Sequence, residues 1–481
     1  MNELYFVVAI AAIVVMLATV VIVRTIMFTA KAQESKKIDD VYVNNEKAVS
    51  DLAEMIKCKT ISHSDKNLDD ENEFLKFKQT LPKIFPNIYE KCEFTEVGDR
   101  ALLYRYRGID SDSPTVLMSH FDVVSVEESE WEKAPFGGVF ENGVLWGRGT
   151  LDTKATLNGA MQALEALIAE GFVPKNDIYL AFGGDEEVNG GGAAMIVDLF
   201  EKQGIKPSIV LDEGGAVVEN IFPGVKEPCA LIGIAEKGML NVEFSYSGNG
   251  GHASSPKPHS PIVKLSKACL KIENNPFKFR LCHATNAMFD TLARRSNFAY
   301  RMIFANLWLF SPVLDMICKK KGGELNALLR TTCVFTQAQG SKGINVIPAK
   351  AKMRANLRIL PGETMDSVYK YLRDIVDDSE IEIKIIDGND PSVTSEVNTE
   401  GWNRLEEAIH GTWNNAIVSP YLMFACSDSQ NWGRISDRVY RFSAMSLTKE
   451  ERASIHGNNE KITADSVKKT VEFYIRLIKN S

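Results

Sequence analysis

Two histidines and several carboxylates of this chain have the types and settings of a metal site. "TVLMSHFDVV" places His120 and Asp122 two residues apart at the end of an apolar run, and the period of two in a strand turns both side chains to one face. A histidine with a carboxylate beside it suits a metal ligand and its support. "LWGRGTLDTKA" holds Asp152 in a glycine-flanked turn ahead of a helical stretch; alone, such an acid reads as a helix cap. "DIYLAFGGDEEVNGGG" ends a second apolar run in Asp185, Glu186 and Glu187, and "SIVLDEGG" ends a third in Asp212 and Glu213. Like charges this close cost stability unless something positive sits among them. Late in the chain "RASIHGNNE" offers His456 beside Gly457. Two histidines with carboxylates form a hard-to-borderline N/O donor set that suits zinc, with cobalt or manganese as substitutes. Two ions sharing one carboxylate would neutralise the cluster and activate a water.

The elements that must position these residues follow from the patterning. "ALLYRYRG", "PTVLMSHFDVV", "DIYLAFGG" and "PSIVLDEGG" read as strands, and "ATLNGAMQALEALIAEGF" and "AAMIVDLFEKQG" as helices ended by Gly171 and Gly204. Strands alternating with helices predict an α/β sheet with crossover connections. In open α/β sheets the carboxyl ends of strands line the ligand crevice, which is where these acids fall. Past Glu236 the pattern changes to half-exposed strands, "LNVEFSYSGNGG" and "AKAKMRANLRILPGE", with a helix "TMDSVYKYLRDIVDD" and a strand "IEIKIID". This predicts a smaller α+β unit. Within it, around 275–332, lies an aromatic-rich insertion containing "FAYRMIFANLWLFSPVLDMI". Arg301, Asn306, Pro312 and Asp315 interrupt that run and argue against a membrane span; a buried helical pair or an apolar substrate flap is expected instead.

These motifs, "SHFDVV", "GRGTLDTKA", "GGDEEVNG", "LDEGG", "GHASSP" and "IHGNNE", resemble in order those of the zinc metallopeptidases that include aminoacylase, carboxypeptidase S, acetylornithine deacetylase and succinyl-diaminopimelate desuccinylase. The resemblance spans about residues 45–481, and the N-terminal apolar segment and the insertion are most similar to the carboxypeptidase S branch, which includes enzymes acting on Gly-X peptides and N-fatty-acyl amino acids. It implies a catalytic domain with a mixed, mostly parallel sheet flanked by helices, in two segments, 31–238 and 389–481. Between them it implies a ferredoxin-like lid and dimerisation domain, 239–388. It implies two zinc ions per subunit: His120 on one, Glu187 and His456 on the other, Asp152 bridging, and either Asp212 or Glu213 as a further ligand. By the same resemblance Asp122 orients a ligand, and Glu186 is the general base that activates the water shared by the ions. His252 of "GNGGHASSP" would stabilise the oxyanion, and Asn345 of "GINVIPA" and Arg358 of "NLRILPG" would hold the substrate carboxylate. One departure stands out: "CSDSQNW" has Gln430 where family members often carry an arginine, which bears on substrate recognition. The implied reaction is hydrolysis of an amide bond next to a free-carboxylate amino acid, in a dipeptide or an N-acyl amino acid. A biosynthetic deacetylase or desuccinylase and an inactive zinc-binding scaffold are the alternatives.

The chain has 481 residues, 45% of them hydrophobic and 25% charged, enough for two domains with substantial cores. Its net charge of -8 and lack of a basic tract argue against a nucleic-acid partner. The eight cysteines form no C-x-x-C pair and are expected as free thiols. Residues 1–30 are expected to form a single-pass membrane anchor, since Tyr5 to Val23 carries no charge and is about long enough to span a bilayer core. No basic residue precedes the run, unlike a signal peptide, although Ala30-Lys31-Ala32 offers a cleavage site. Arg24, Lys31, Lys36 and Lys37 follow it and favour the cytoplasmic face for the body.

Overall fold

A computed structural model describes residues 2–30 and 40–481; Lys31, Lys36, Lys37 and the polar stretch that holds them lie outside the described residues. Eight strands form a mixed central sheet in the order Glu93–Val97, Ala101–Tyr106, Asn176–Gly183, Asp110–His120, Ile209–Val218, Val439–Leu447, Cys229–Glu236 and Ile417–Met423. The strand ending at His120 pairs parallel with both neighbours, as does Ile209–Val218 with Val439–Leu447. Alternation assigns each strand's side chains to two cores. Leu117, Ile178, Leu180 and Phe182 face the helices Asn45–Ile56, Lys154–Ala169 and Ala464–Lys479, whereas Val116, Met118, Tyr179 and Ala181 pack with Ile196, Phe200 and Trp432 on the other face. Gly171 and Gly204 take the left-handed backbone (φ 76° and 70°) that ends a helix without a Cβ clash.

The smaller unit is a four-stranded antiparallel sheet in the order Thr332–Gln339, Lys350–Ile359, Gly238–Ser247, Glu382–Asn389. The helices Pro261–Asn274 and Met365–Val376 contribute Leu265, Ala268, Val368 and Leu372 to its separate core. This is the β-α-β-β-α-β arrangement of a ferredoxin-like unit. The insertion between its first helix and second strand belongs elsewhere. Its helices His283–Ala293, Phe298–Ala305, Leu307–Lys321 and Gly323–Leu329 place Phe289, Leu292, Phe304, Leu314 and Leu328 in the core of the large sheet. Phe222, Phe289 and Phe304 meet there with ring centroids 4.8–5.7 Å apart. The His283–Ala293 helix lies against Ile417–Met423, the last strand of the sheet, and so covers an edge that would otherwise template aggregation. All eight cysteines are free.

The N-terminal helix Asn2–Met27 contains a 24-residue stretch, Leu4–Met27, long and apolar enough by length and composition to cross a membrane. The helices Phe298–Ala305 and Leu307–Lys321 meet at a bend of 105° about Asn306, in place of one straight apolar rod.

Candidate metal centre

The histidines and acids converge from separate elements at one end of the central sheet. His120 is the last residue of its strand and is 1% exposed. Its Nδ1–H donates to the carbonyl oxygen of Asp122 at 3.0 Å, which directs Nε2 at the carboxylates; Nε2 lies 3.0 Å from Asp152 and 3.2 Å from Glu213. His456 sits in a loop with a left-handed backbone, φ 57°. Its Nε2 approaches the other oxygen of Asp152 at 2.9 Å and Glu187 at 3.2 Å. Two clusters therefore share Asp152: His120, Asp152 and Glu213, and Asp152, Glu187 and His456. Glu186 reaches into the first, 3.9 Å from His120.

Asp212 and Glu213 part company here. Adjacent strand residues point to opposite faces. Opposite Val439–Leu447 the register jumps, pairing Asp212 with Arg441 but Gly215 with Phe442, so Glu213 and Gly214 form a bulge, a device that re-aims side chains beside active sites. Glu213 turns to His120. Asp212 turns to the 427–429 loop, accepting from Ser429 N at 3.0 Å, and takes no place in either cluster.

Asp122 is fully buried and holds the neighbouring turn: it accepts from Glu186 N at 3.2 Å, Glu187 N at 3.1 Å and the Ser62 hydroxyl at 2.5 Å. Asp185 accepts from Gly192 N at 3.3 Å, at the start of the next helix. Of the three consecutive acids, only Glu186 and Glu187 face the cleft clusters.

The electrostatics are those of a cation site. Burial raises the Glu186 carboxyl well above the usual range, with His120 opposing and Glu213 adding to the effect. Burial and then Asp152 push Glu213 up to about 7. Hydrogen bonds to Asp152 and Glu187 raise His456 to about 10. For His120 burial opposes the charge, but Glu213, Asp122 and Asp152 outweigh it and raise the imidazole well above its ordinary value. Glu187 also keeps a buried Oε1 without any hydrogen-bond partner. The carboxylates draw both histidines toward their charged forms, and an orphaned carboxylate oxygen is a position a metal ion would satisfy. The residues present fit a pair of divalent cations.

Two acids to which the motifs assign no role lie beside this cluster, and one of them holds its geometry. Glu460, fully buried, accepts from Leu151 N at 2.6 Å, Asp152 N at 3.2 Å and Gly149 N at 3.2 Å, and pairs with Arg148 at 2.7 Å. Arg148 in turn donates to the carbonyl of Gly457 at 2.8 Å. The turn bearing Asp152 and the loop bearing His456 are thereby clamped across about 300 residues of chain. The one sequence signal was an acid four residues beyond His456. Asp428 is the other: burial, then Asp212 and Asp122, raise its carboxyl well above the usual range. It sits against Gly183, where a Cβ would come within 2.7 Å of its Oδ2.

The remaining candidates lie on or facing the smaller unit. His252 and Asn345 meet on one two-stranded ribbon, where His252 pairs with Val346 and Ala253 N donates to the Asn345 carbonyl at 3.0 Å. The His252 imidazole is exposed and bonded to the Ser254 hydroxyl at 2.7 Å. Arg358 reaches from the sheet toward the large unit and touches Cys426 Sγ at 3.5 Å. Gln430 accepts from Asn389 at 2.8 Å and so ties the 428–434 turn to the smaller sheet.

Comparison with known proteins decides the family. Residues 116–480 match Peptidase family M20/M25/M40. The chain belongs to that family. It is 32% identical to the probable carboxypeptidase S-like 2 of Dictyostelium discoideum, over 96% of this chain and 91% of that one. It is 32% identical to the N-fatty-acyl-amino acid synthase/hydrolase PM20D1 of Xenopus tropicalis, over 91% and 88%. The M20 family metallo-carboxypeptidase Sso-CP2 of Sulfolobus solfataricus shares the fold, with a TM-score of 0.67 at 18% identity, over 90% of this chain and 98% of that one. As an M20 member the chain is a hydrolase of the metallopeptidase class.

Proposed function

We propose that this chain is a membrane-anchored, two-zinc amidohydrolase that splits the amide between an acyl or aminoacyl group and an amino acid with a free carboxylate. The observation that carries the reading is Asp152, with one oxygen toward His120 and the other toward His456, beside the partnerless oxygen of Glu187. His120, Asp152 and Glu213 would hold one ion, and Asp152, Glu187 and His456 the other. When bound, the pair supplies a Lewis acid for the carbonyl and a water of lowered pKa.

Glu186 removes a proton from the attacking water as its oxygen bonds to the carbonyl carbon. The C–N bond then breaks, and Glu186 returns that proton to the departing amine, leaving a carboxylic acid and a free amino acid. The raised carboxyl of Glu186 suits a group that must both take and give a proton. Asp122 aims Glu186 and Glu187 through their backbone N–H groups. Arg358 and Asn345 would receive the substrate carboxylate and His252 the oxyanion, His252 by approach of the smaller unit or of a second copy in a dimer. The test is Glu186→Gln, assayed on Gly-X dipeptides and on short and long N-acyl amino acids. Zinc content should match the parent, while kcat falls by about 10²–10⁴-fold on the preferred substrate. Near-parental turnover with full zinc would sink the mechanism.

A further inference from the structure

The N-terminal helix is built into the fold at one end and free of it at the other. From Leu4 to Val20 every residue is exposed, a rod of about 25 Å at 1.5 Å per residue. From Val21 the helix is docked: Val21 is 8% exposed and Thr25 fully buried. Asn306 Nδ2 donates to the Val21 carbonyl and Thr25 Oγ1, both at 3.3 Å, and Arg24 donates to the Ala305 carbonyl at 3.1 Å. The Arg294 guanidinium lies 4.2 Å from the Phe28 ring centre. The receiving surface is the 105° elbow between Phe298–Ala305 and Leu307–Lys321.

This docking sets a depth. A hydrocarbon core is about 30 Å thick and takes about 20 helical residues, so a bilayer entered at Leu4 ends near Arg24, level with the elbow. On the elbow's outer side Trp308, Leu309, Val313, Met316 and Ile317 are 41–63% exposed. Leu309, Val313, Met316 and Ile317 recur at three and four residues and Trp308 flanks them, so together they make the outward half of the Leu307–Lys321 helix, and that helix closes on Lys319, Lys320 and Lys321. An apolar face with an interfacial tryptophan and a basic end is the composition of a helix lying in a lipid headgroup layer.

We infer that the 298–321 elbow is a second membrane-contact element, a monotopic wedge that lies in the bilayer surface beside the anchor and holds the catalytic body against it. The inference rests on reading the N-terminal helix as a retained anchor. It gives the insertion a task that packing alone leaves open, because its inner face already joins the core through Phe304 and Leu314.

The test uses the full chain reconstituted in phosphatidylcholine vesicles with or without lipid brominated at a shallow acyl position. Tryptophan emission should be quenched by the brominated lipid, and Trp308→Phe should remove most of that quenching, because Trp131, Trp146, Trp402, Trp413 and Trp432 lie in the body. Trp308→Phe is a conservative change at an exposed position, and its hydrolysis of a soluble substrate should match the parent. If the protein floats with the vesicles but the variant is quenched like the parent, the wedge is refuted and the anchor stands. If the protein does not float, the anchor fails and the wedge with it. Blue-shifted, unquenched Trp308 emission together with cross-linked pairs would assign the face to a second copy and overturn the inference.

Discussion

Glu460→Gln is a nearly isosteric change that tests whether the clamp beneath Asp152 matters. The carboxylate is fully buried and meets five partners: the Arg148 guanidinium, the Thr150 hydroxyl and the N–H groups of Gly149, Leu151 and Asp152. The amide keeps the shape but removes the charge. It leaves Arg148, itself 2% exposed, as a buried cation without its counter-ion. It also aims an NH₂ group at some of the N–H donors the carboxylate accepted from. Losing one partner of a buried pair costs about 3–5 kcal/mol, a large share of the roughly 5–15 kcal/mol that holds a domain folded. At about 2–4 °C per kcal/mol for units of this size, the melting temperature should fall by roughly 10 °C. Zinc affinity should fall by about 10–100-fold, the usual result of losing a group that orients a ligand, because Asp152 N is one of the donors released. The assays are thermal melting by circular dichroism and competitive zinc titration. The double variant Arg148→Met, Glu460→Gln should recover part of the stability, since both charges are gone, and little of the affinity. Parental melting and zinc affinity in the single variant would refute the clamp. A double variant less stable than the single one would refute the charge argument.

Two further predictions concern the metal site. Glu213→Gln should remove about one zinc per chain, and Asp212→Asn should retain both while disturbing the 427–429 loop; the reverse pattern in metal analysis would overturn the assignment from the strand bulge. In the metal-free protein both imidazoles are raised, His456 to about 10, and a metal takes only the neutral ring. Zinc binding at pH 7.5 should therefore release protons, seen as calorimetric heats that scale with buffer ionisation enthalpy. Apparent affinity should rise with pH until His456 has titrated, and buffer-independent heats would contradict the apo-state charge balance.

Much of the site was legible before any coordinates. A motif such as "SHFDVV" or "GGDEEVNG" joins a strand pattern to a polar end, and the α/β rule places strand ends at the crevice, so His120, Glu186 and Glu187 could be expected together. The α+β character of the smaller unit followed from its alternation, whereas its ferredoxin-like strand order was implied only by the family resemblance. Glu460 was not legible, because an acid in a polar loop looks the same whether it faces water or a buried arginine about 310 residues earlier. Asp428 sat inside a quoted motif but acquires its environment only from Gly183, Asp212 and Asp122.

The sequence by itself determined the local elements and the donor types, since hydrophobic period and side-chain chemistry are written residue by residue. Tertiary structure decided which of two adjacent carboxylates faces the histidines, because direction in a strand depends on a bulge that pairing creates. It decided that the four helices of the aromatic insertion pack on the large sheet, while Phe277 at its start stays in the core of the small one, since an apolar segment can bury itself against either. It also decided that the N-terminal helix ends docked on Asn306: a hydropathy pattern records how apolar a segment is, while what its last two turns touch depends on residues nearly 300 positions away.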